Sequence, residues 1–275
     1  MKKTNVKRLE LFEFEDFSWL PNTIRAGVTR IIRVLHRLMG TSDTLENVIL
    51  NTYEKTSFKQ IVDLGSGAGG PMIDTVQKIN RSNYLDHPLE LLLSDKYPDH
   101  EIVQHINEAK ISNIRYHKHP VDALAIGNAP VGLKTMIASF HHMSPTMAHQ
   151  ILQAAEHNRE PLLIYELAEN NVPFLVWLLL LPISWTILIL MALFMTPFSR
   201  PLTLTQVVFT YIIPIIPIVY AWDGQASIMR TYTFEDIKTL IGTQTSEDYH
   251  WEVSEARKEN GKKAGYYVLG YPRKD

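Results

Sequence analysis

Residues 61–71, IVDLGSGAGGP, set an acidic side chain beside closely spaced glycines. Gly65, Gly67 and Gly69 follow a short apolar run and precede a helical stretch. Glycines there let the backbone turn sharply and approach a ligand with no Cβ in the way. The following helix directs its first amides into the same space, which suits a nucleotide-like cofactor. The letters also satisfy G-x-G-x-x-G through Gly65, Gly67 and Gly70, a pattern shared with dinucleotide folds. Asp63, two residues before the first glycine, argues against a pyrophosphate there. An anion would be repelled, whereas a sulfonium or amino group would be attracted. Asp95 closes the next apolar run and can accept both hydroxyls of a ribose, a role that NAD folds share.

A second constellation sits further along, in TMIASFHHMSP. An imidazole titrates near neutrality, so His141 or His142 can act as a general base on a protonated acceptor. The competing reading is a histidine that bonds a backbone carbonyl and only shapes the pocket. Glu166 ends another apolar run at the same rim. It is a candidate to bind the acceptor, or to pair with a base such as Arg230. Asp16 and Trp19, in an acidic and aromatic N-terminal run, are candidates to touch substrate. The remaining histidines are scattered. His117/His119 and His141/His142 lack carboxylate or cysteine companions at closed-site spacing, so no metal site is expected.

These residues need elements to hold them. From Gln60, short apolar runs alternate with amphipathic stretches. Strands are expected at 61–64, 89–94, 114–117, 133–139 and 162–167, with helices at 71–80, 99–109 and 145–156. That alternation implies a parallel sheet covered on both faces, with ligands beyond the carboxyl ends of its strands. A helix at 234–241 and strands at 250–253 and 266–269 follow, the last two joined by a hairpin-like loop. Before the sheet, residues 24–39 carry Ile24, Val28, Ile31, Leu35, Leu38 and Met39 at helical spacing, with Arg30, Arg33 and Arg37 on another face and Gly40 as a C-cap.

On these residues the chain resembles the class I, Rossmann-like S-adenosylmethionine-dependent methyltransferases over about 60–167 and 221–272. The Asp-x-Gly-x-Gly-x-Gly pattern of Asp63, Gly65, Gly67 and Gly69 is similar to that family's first motif. Asp95 looks like its second acidic residue, and Asp122 resembles the acid that meets the adenine amine. The histidine pair after the fourth strand and the Arg230, Tyr232, Phe234 segment resemble the family in kind. The resemblance implies an α/β fold with a mainly parallel seven-stranded sheet and a C-terminal antiparallel strand pair. It also implies S-adenosyl-L-methionine as cofactor, with Ser66, Lys96 and Ser139 as further candidate cofactor contacts. An NAD-dependent oxidoreductase and a non-catalytic, membrane-bound cofactor-binding protein are the alternatives.

The chain departs from that family in one respect. Residues 172–198 carry no charge, and 202–222 carry none either, although Pro214 and Pro217 interrupt the second run. A helix over the first would extend about 40 Å, enough to cross a bilayer core. Because both flanks belong to one sheet, the insertion must leave and return on the same side. A hairpin embedded at the cytoplasmic leaflet is preferred to two spans, which would place Arg200 on the far side, and to a wholly buried insertion or oligomer interface. The organisation expected is an N-terminal helical cap (1–58), a cofactor-binding core (59–169), a hydrophobic membrane-associated insertion (170–222) and a segment completing the core (223–275). The basic start is followed by no apolar stretch, so no secretory signal is expected and the body is placed on the cytoplasmic side of a membrane. With 27 Lys and Arg against 29 Asp and Glu, a nucleic-acid partner is not expected. The absence of cysteine excludes disulfides. The acceptor expected is a small apolar or lipid-like molecule.

Overall fold

The computed structural model describes residues 6–82, 84–242 and 246–273; the basic start at Lys2 and Lys3 lies outside them. The chain gathers into two compact units. One contains Met1–Lys7, Gly40–Glu169 and Tyr232–Asp275, and the other Arg8–Met39 with Asn170–Thr231.

The first unit is built on one sheet. Its strands are β1 (Gln60–Leu64), β2 (Glu90–Ser94), β3 (Ile114–Tyr116), β4 (Leu133–Ile137), β5 (Leu162–Glu166), β6 (Tyr249–Arg257) and β7 (Lys263–Pro272), in spatial order β3-β2-β1-β4-β5-β7-β6. β1 to β5 run parallel, and β7 pairs antiparallel with both β5 and β6. This is the mainly parallel seven-stranded sheet with a terminal antiparallel pair that the family resemblance implies. All of β5 and all but the first residue of β1 and β2 are buried. Cover on both faces explains why these strands read as unbroken apolar runs.

Among the described residues, this unit has the α-helices α2 (Thr41–Thr56), α3 (Met72–Ser82), α4 (His100–Glu108), α5 (Pro145–His157) and α9 (Phe234–Ile241). α2 does not stand out in the sequence. Its buried face is Thr41, Thr44, Leu45, Val48, Ile49 and Thr52, and threonines at three of six positions hide the apolar stripe. α4 starts at Asp99, whose side chain accepts the Glu101 and Ile102 amides. α9 starts in a capping box made by Thr233 and Asp236. The chain moves outward from β1 to β3, then returns to place β4 on the other side of β1. This reversal opens a crevice at the carboxyl ends of β1 and β4.

The second unit contains α1 (Asn22–Met39), α6 (Phe174–Met195), α7 (Leu204–Val207) and α8 (Ile215–Arg230). Its core joins Ile24, Val28 and Ile31 of α1 to Ala192 and Met195 of α6 and to Ile216 and Tyr220 of α8. Leu38 and Met39, expected on the same stripe, are exposed. Gly40, which follows in the first unit, adopts φ +64°, the left-handed conformation of a helix-ending glycine. α6 runs unbroken through Pro182. Together with the short turn after it, α6 forms a 25-residue apolar helix, Phe174–Phe198, whose most apolar window is only 11% buried. The second apolar run is bent by 78° between Leu204–Ile212 and Ile215–Arg230, where Pro214 caps α8. Trp177 donates its indole N–H to the Gln225 amide oxygen at 2.9 Å, so the buried part of the hairpin leaves these polar groups paired.

The pairing of β7 with β5 depends on one glycine. Gly265 has φ +106°, and a Cβ there would fall on the Glu166 carbonyl oxygen. Gly265→Ala is expected to destabilise the protein by at least about 2 kcal/mol, measured by denaturant unfolding, because strain and overlap add.

Candidate functional site

The glycine loop after β1 is held from beneath by a buried carboxylate. Asp63 is 3% exposed, and its two oxygens accept the Ser66 hydroxyl at 2.6 Å and the Thr135 hydroxyl at 2.5 Å. The Ser66 hydroxyl accepts the Ser94 amide at 3.1 Å, and the Ser94 hydroxyl donates to the Asp63 carbonyl at 2.8 Å. The ends of β1, β2 and β4 are thereby tied together by side chains. Burial pushes the Asp63 carboxyl up to about 6, against the pull of the two hydroxyls, and the charge of Asp95 adds to the rise.

Gly65, Gly67, Gly69 and Gly70 all have positive φ. They serve different needs. A Cβ at Gly69 would collide with Ile73 and crowd Leu93, so that glycine lets α3 pack on β2. A Cβ at Gly67 would meet nothing within 4 Å, so this peptide faces open space. Its amide donates to Asp95 Oδ2 at 3.1 Å, and its carbonyl accepts the Tyr116 hydroxyl at 2.9 Å. Asp95 Oδ1 accepts the Tyr97 amide at 2.9 Å. Each Asp95 oxygen therefore keeps lone-pair capacity for hydroxyls of a ligand.

Lys96 turns to Asp122, with Nζ 2.8 Å from Oδ2, and Asp122 Oδ1 accepts the Leu124 amide at 3.0 Å. Burial works to raise the Asp122 carboxyl, but the bonds to Lys96 and Leu124 outweigh it and the net shift is downward. Lys96 is thus engaged with another candidate residue.

Beyond β4 the chain turns sharply at Ala138, which adopts φ +51° after its amide bonds the Tyr165 carbonyl at 2.7 Å. A non-glycine residue in this region is strained, a feature that clusters at functional sites. Ser139 follows; its Oγ is buried without a hydrogen-bond partner and would lie 3.6 Å from a Cβ on Gly65. His141 comes next. Its amide donates to Glu166 Oε1 at 3.0 Å and its Nδ1 lies 2.9 Å from Oε2. Both side chains are buried. The His142 ring lies 4.4 Å from that of His141, centroid to centroid.

The structure brings Asp63, Gly65, Ser66, Gly67 and Asp95 into one network, with Ser139 beside Gly65. It joins Lys96 to Asp122, and His141 to Glu166. The histidine pair does have a carboxylate companion, one that local spacing concealed because it comes from the next strand. In the second unit, Arg230 pairs with Asp16 and Glu13, and Trp19 stacks on Phe17 while 65% exposed. Tyr116, Thr135 and Ser94 were not singled out from the sequence. Their only signal is a hydroxyl at a buried strand position.

No protein-family model matches the chain, and no curated protein matches it in sequence. Solved structures do match its fold. The plantazolicin methyltransferase BpumL, in complex with a monoazolic desmethylPZN analog and SAH, aligns with a TM-score of 0.51 at 10% identity, over 92% of this chain and 90% of that one. The fold is that of the class I methyltransferases. BpumL with a pentazolic analog and SAH aligns over 92% of this chain and 99% of that one, with a TM-score of 0.50 at 10% identity. LaPhzM aligns at 14% identity with a TM-score of 0.46, and this chain spans 56% of its length. In the class I fold of this protein, the glycine loop lies at the first strand and the histidine pair follows the fourth.

The environment of Asp63 has a measurable consequence. Its carboxyl moves from an ordinary 3.8 to about 6 on folding, so the unfolded chain releases its proton first as pH rises. Stability from this group is full below pH 4 and falls through pH 6, by about 3 kcal/mol at 1.36 kcal/mol per unit. Asp63→Asn is expected to flatten that slope in denaturant unfolding of the ligand-free protein between pH 4 and 7. An unchanged slope would assign the titration elsewhere.

Proposed function

We propose that this protein is an S-adenosylmethionine-dependent methyltransferase acting on an apolar or lipid-like small molecule at a membrane. The observation that carries the reading is the Gly67 peptide, clamped by Asp95 and Tyr116 at the strand-order reversal with buried Asp63 beneath. An anionic floor suits a cationic ligand and disfavours a pyrophosphate. The open space at Gly67 admits a ligand against the backbone, and BpumL, which shares the fold, binds SAH.

When bound, S-adenosylmethionine supplies a methyl carbon already activated by its sulfonium. The chain's task is then positioning and exclusion of water. Asp95 receives the ribose hydroxyls with its remaining lone pairs, and Asp122 lies on the adenine side. Ser139 offers an uncommitted hydroxyl beside the loop. His141 is turned by Glu166 so that Nδ1 is committed and Nε2 remains to take a proton from the acceptor. Glu166 is a positioning residue in this arrangement. Asp95→Ala is expected to weaken S-adenosylmethionine binding by about 1.5–3 kcal/mol in calorimetry, the range for hydrogen bonds to a charged group. His141→Ala is expected to leave that affinity unchanged and to lower turnover of labelled cofactor with a membrane extract by about 10²–10⁴-fold. Binding of NAD in place of S-adenosylmethionine would overturn the assignment.

The membrane part of the reading is supported by the exposed apolar surface of α6 and by the bend before α8. We place the hairpin at the headgroup–acyl boundary of the cytoplasmic leaflet. Full-length protein is expected to sediment with membranes and to resist extraction by salt and carbonate, because salt does not reverse apolar burial. The chain has no cysteine, so a single Thr205→Cys substitution gives a clean topology probe. It is expected to resist an impermeant maleimide added from outside intact cells. Labelling from outside would establish two spans instead.

A further inference from the structure

The second unit carries its positive charge in an unusual setting. α1 contains four arginines and no acidic residue, and Arg200 is the only charged side chain between 170 and 222. Arg30 and Arg200 both bond residues at the turn of the hairpin. Arg30 donates to the Gln206 amide oxygen at 3.3 Å, and Gln206 donates its amide N–H to the Ser199 hydroxyl at 3.1 Å. Arg200 donates to the Ser199 carbonyl at 3.1 Å and to the Pro197 carbonyl at 3.2 Å. Gln206 and Ser199 are buried, and among the described residues each guanidinium bonds neutral acceptors. Partial burial lowers the Arg30 pKa, so its charge is held under desolvation. Thr210, one turn beyond Gln206, is fully buried, and its hydroxyl has no partner.

Two guanidinium groups that bond the same turn through neutral acceptors leave positive charge there that a neighbouring anion would neutralise. Guanidinium forks match phosphate oxygens in a way that single ammonium groups do not. The surroundings decide the source of that anion. Phe198, Leu202 and Leu204 are exposed around the turn, Leu204 at 80%. A water-soluble phosphate gains nothing from this apolar rim, whereas a lipid brings acyl chains to cover it.

We propose that the Arg30–Gln206–Ser199–Arg200 chain at the hairpin turn seats the phosphate of an anionic phospholipid, giving the protein a preference for negatively charged bilayers. This rests on the membrane reading above. It fixes the turn at headgroup level, with the guanidinium groups in the polar layer and the leucines and Phe198 below it.

Flotation of the full-length protein with vesicles tests it. One set is phosphatidylcholine alone and the other contains about 30% phosphatidylglycerol, since each basic residue near an anionic surface contributes roughly fivefold. Wild type is expected to bind both, and the anionic set at least tenfold more tightly. An Arg30→Gln, Arg200→Gln double variant is expected to keep its affinity for phosphatidylcholine and for S-adenosylmethionine while losing most of the preference. Equal binding to both sets by wild type, or a preference that survives in the variant, overturns the proposal and leaves the membrane reading standing. Binding to neither set overturns both. Thermal protection in detergent by inorganic phosphate, lost in the variant, would assign the pair to a soluble anion and overturn the lipid assignment.

Discussion

A buried carboxylate with no cationic partner among the described residues organises the first unit. Asp63 lies at the end of β1, satisfied by two hydroxyls rather than by a countercharge. Such a group is costly to hold ionised, and the cost is tolerable only because Ser66, Thr135 and Ser94 are fixed around it. Those same three residues tie together the ends of β1, β2 and β4. The glycine loop therefore leaves the sheet from a rigid base. Gly67 can then be suspended between Asp95 and Tyr116 with its outer side open.

A similar economy appears after β4. The left-handed turn at Ala138 changes the direction of the chain before His141, and Glu166 from the neighbouring strand catches both the amide and the ring of that histidine. One carboxylate thus fixes a backbone position and an imidazole orientation together. Gly265 lets β7 run close enough to β5 to hold the backbone of Glu166 in place. The positioning extends through β4, β5 and β7.

The sheet was legible because parallel strands buried on both faces must be apolar throughout, and such runs end visibly at Asp63, Asp95 and Glu166. α2 was not legible, since threonine methyl groups serve on its inner face where aliphatic side chains are usual. Within the site, the glycines and Asp95 could be found from spacing along one segment. The partners that determine what those residues do come from elsewhere in the chain: Thr135 lies 72 positions from Asp63, and Tyr116 lies 49 from Gly67. The His141–Glu166 link is likewise a product of strand adjacency. It was the sheet order, rather than any motif, that brought these groups together.

Every basic side chain of fixed charge in the second unit is an arginine; lysines occur only in the first. An ammonium group entering an apolar layer can shed its proton, and its amine is open to acylation. A guanidinium does not lose its proton in proteins. The charge on this unit is consequently permanent. Neither proton loss nor lysine acetylation can erase it.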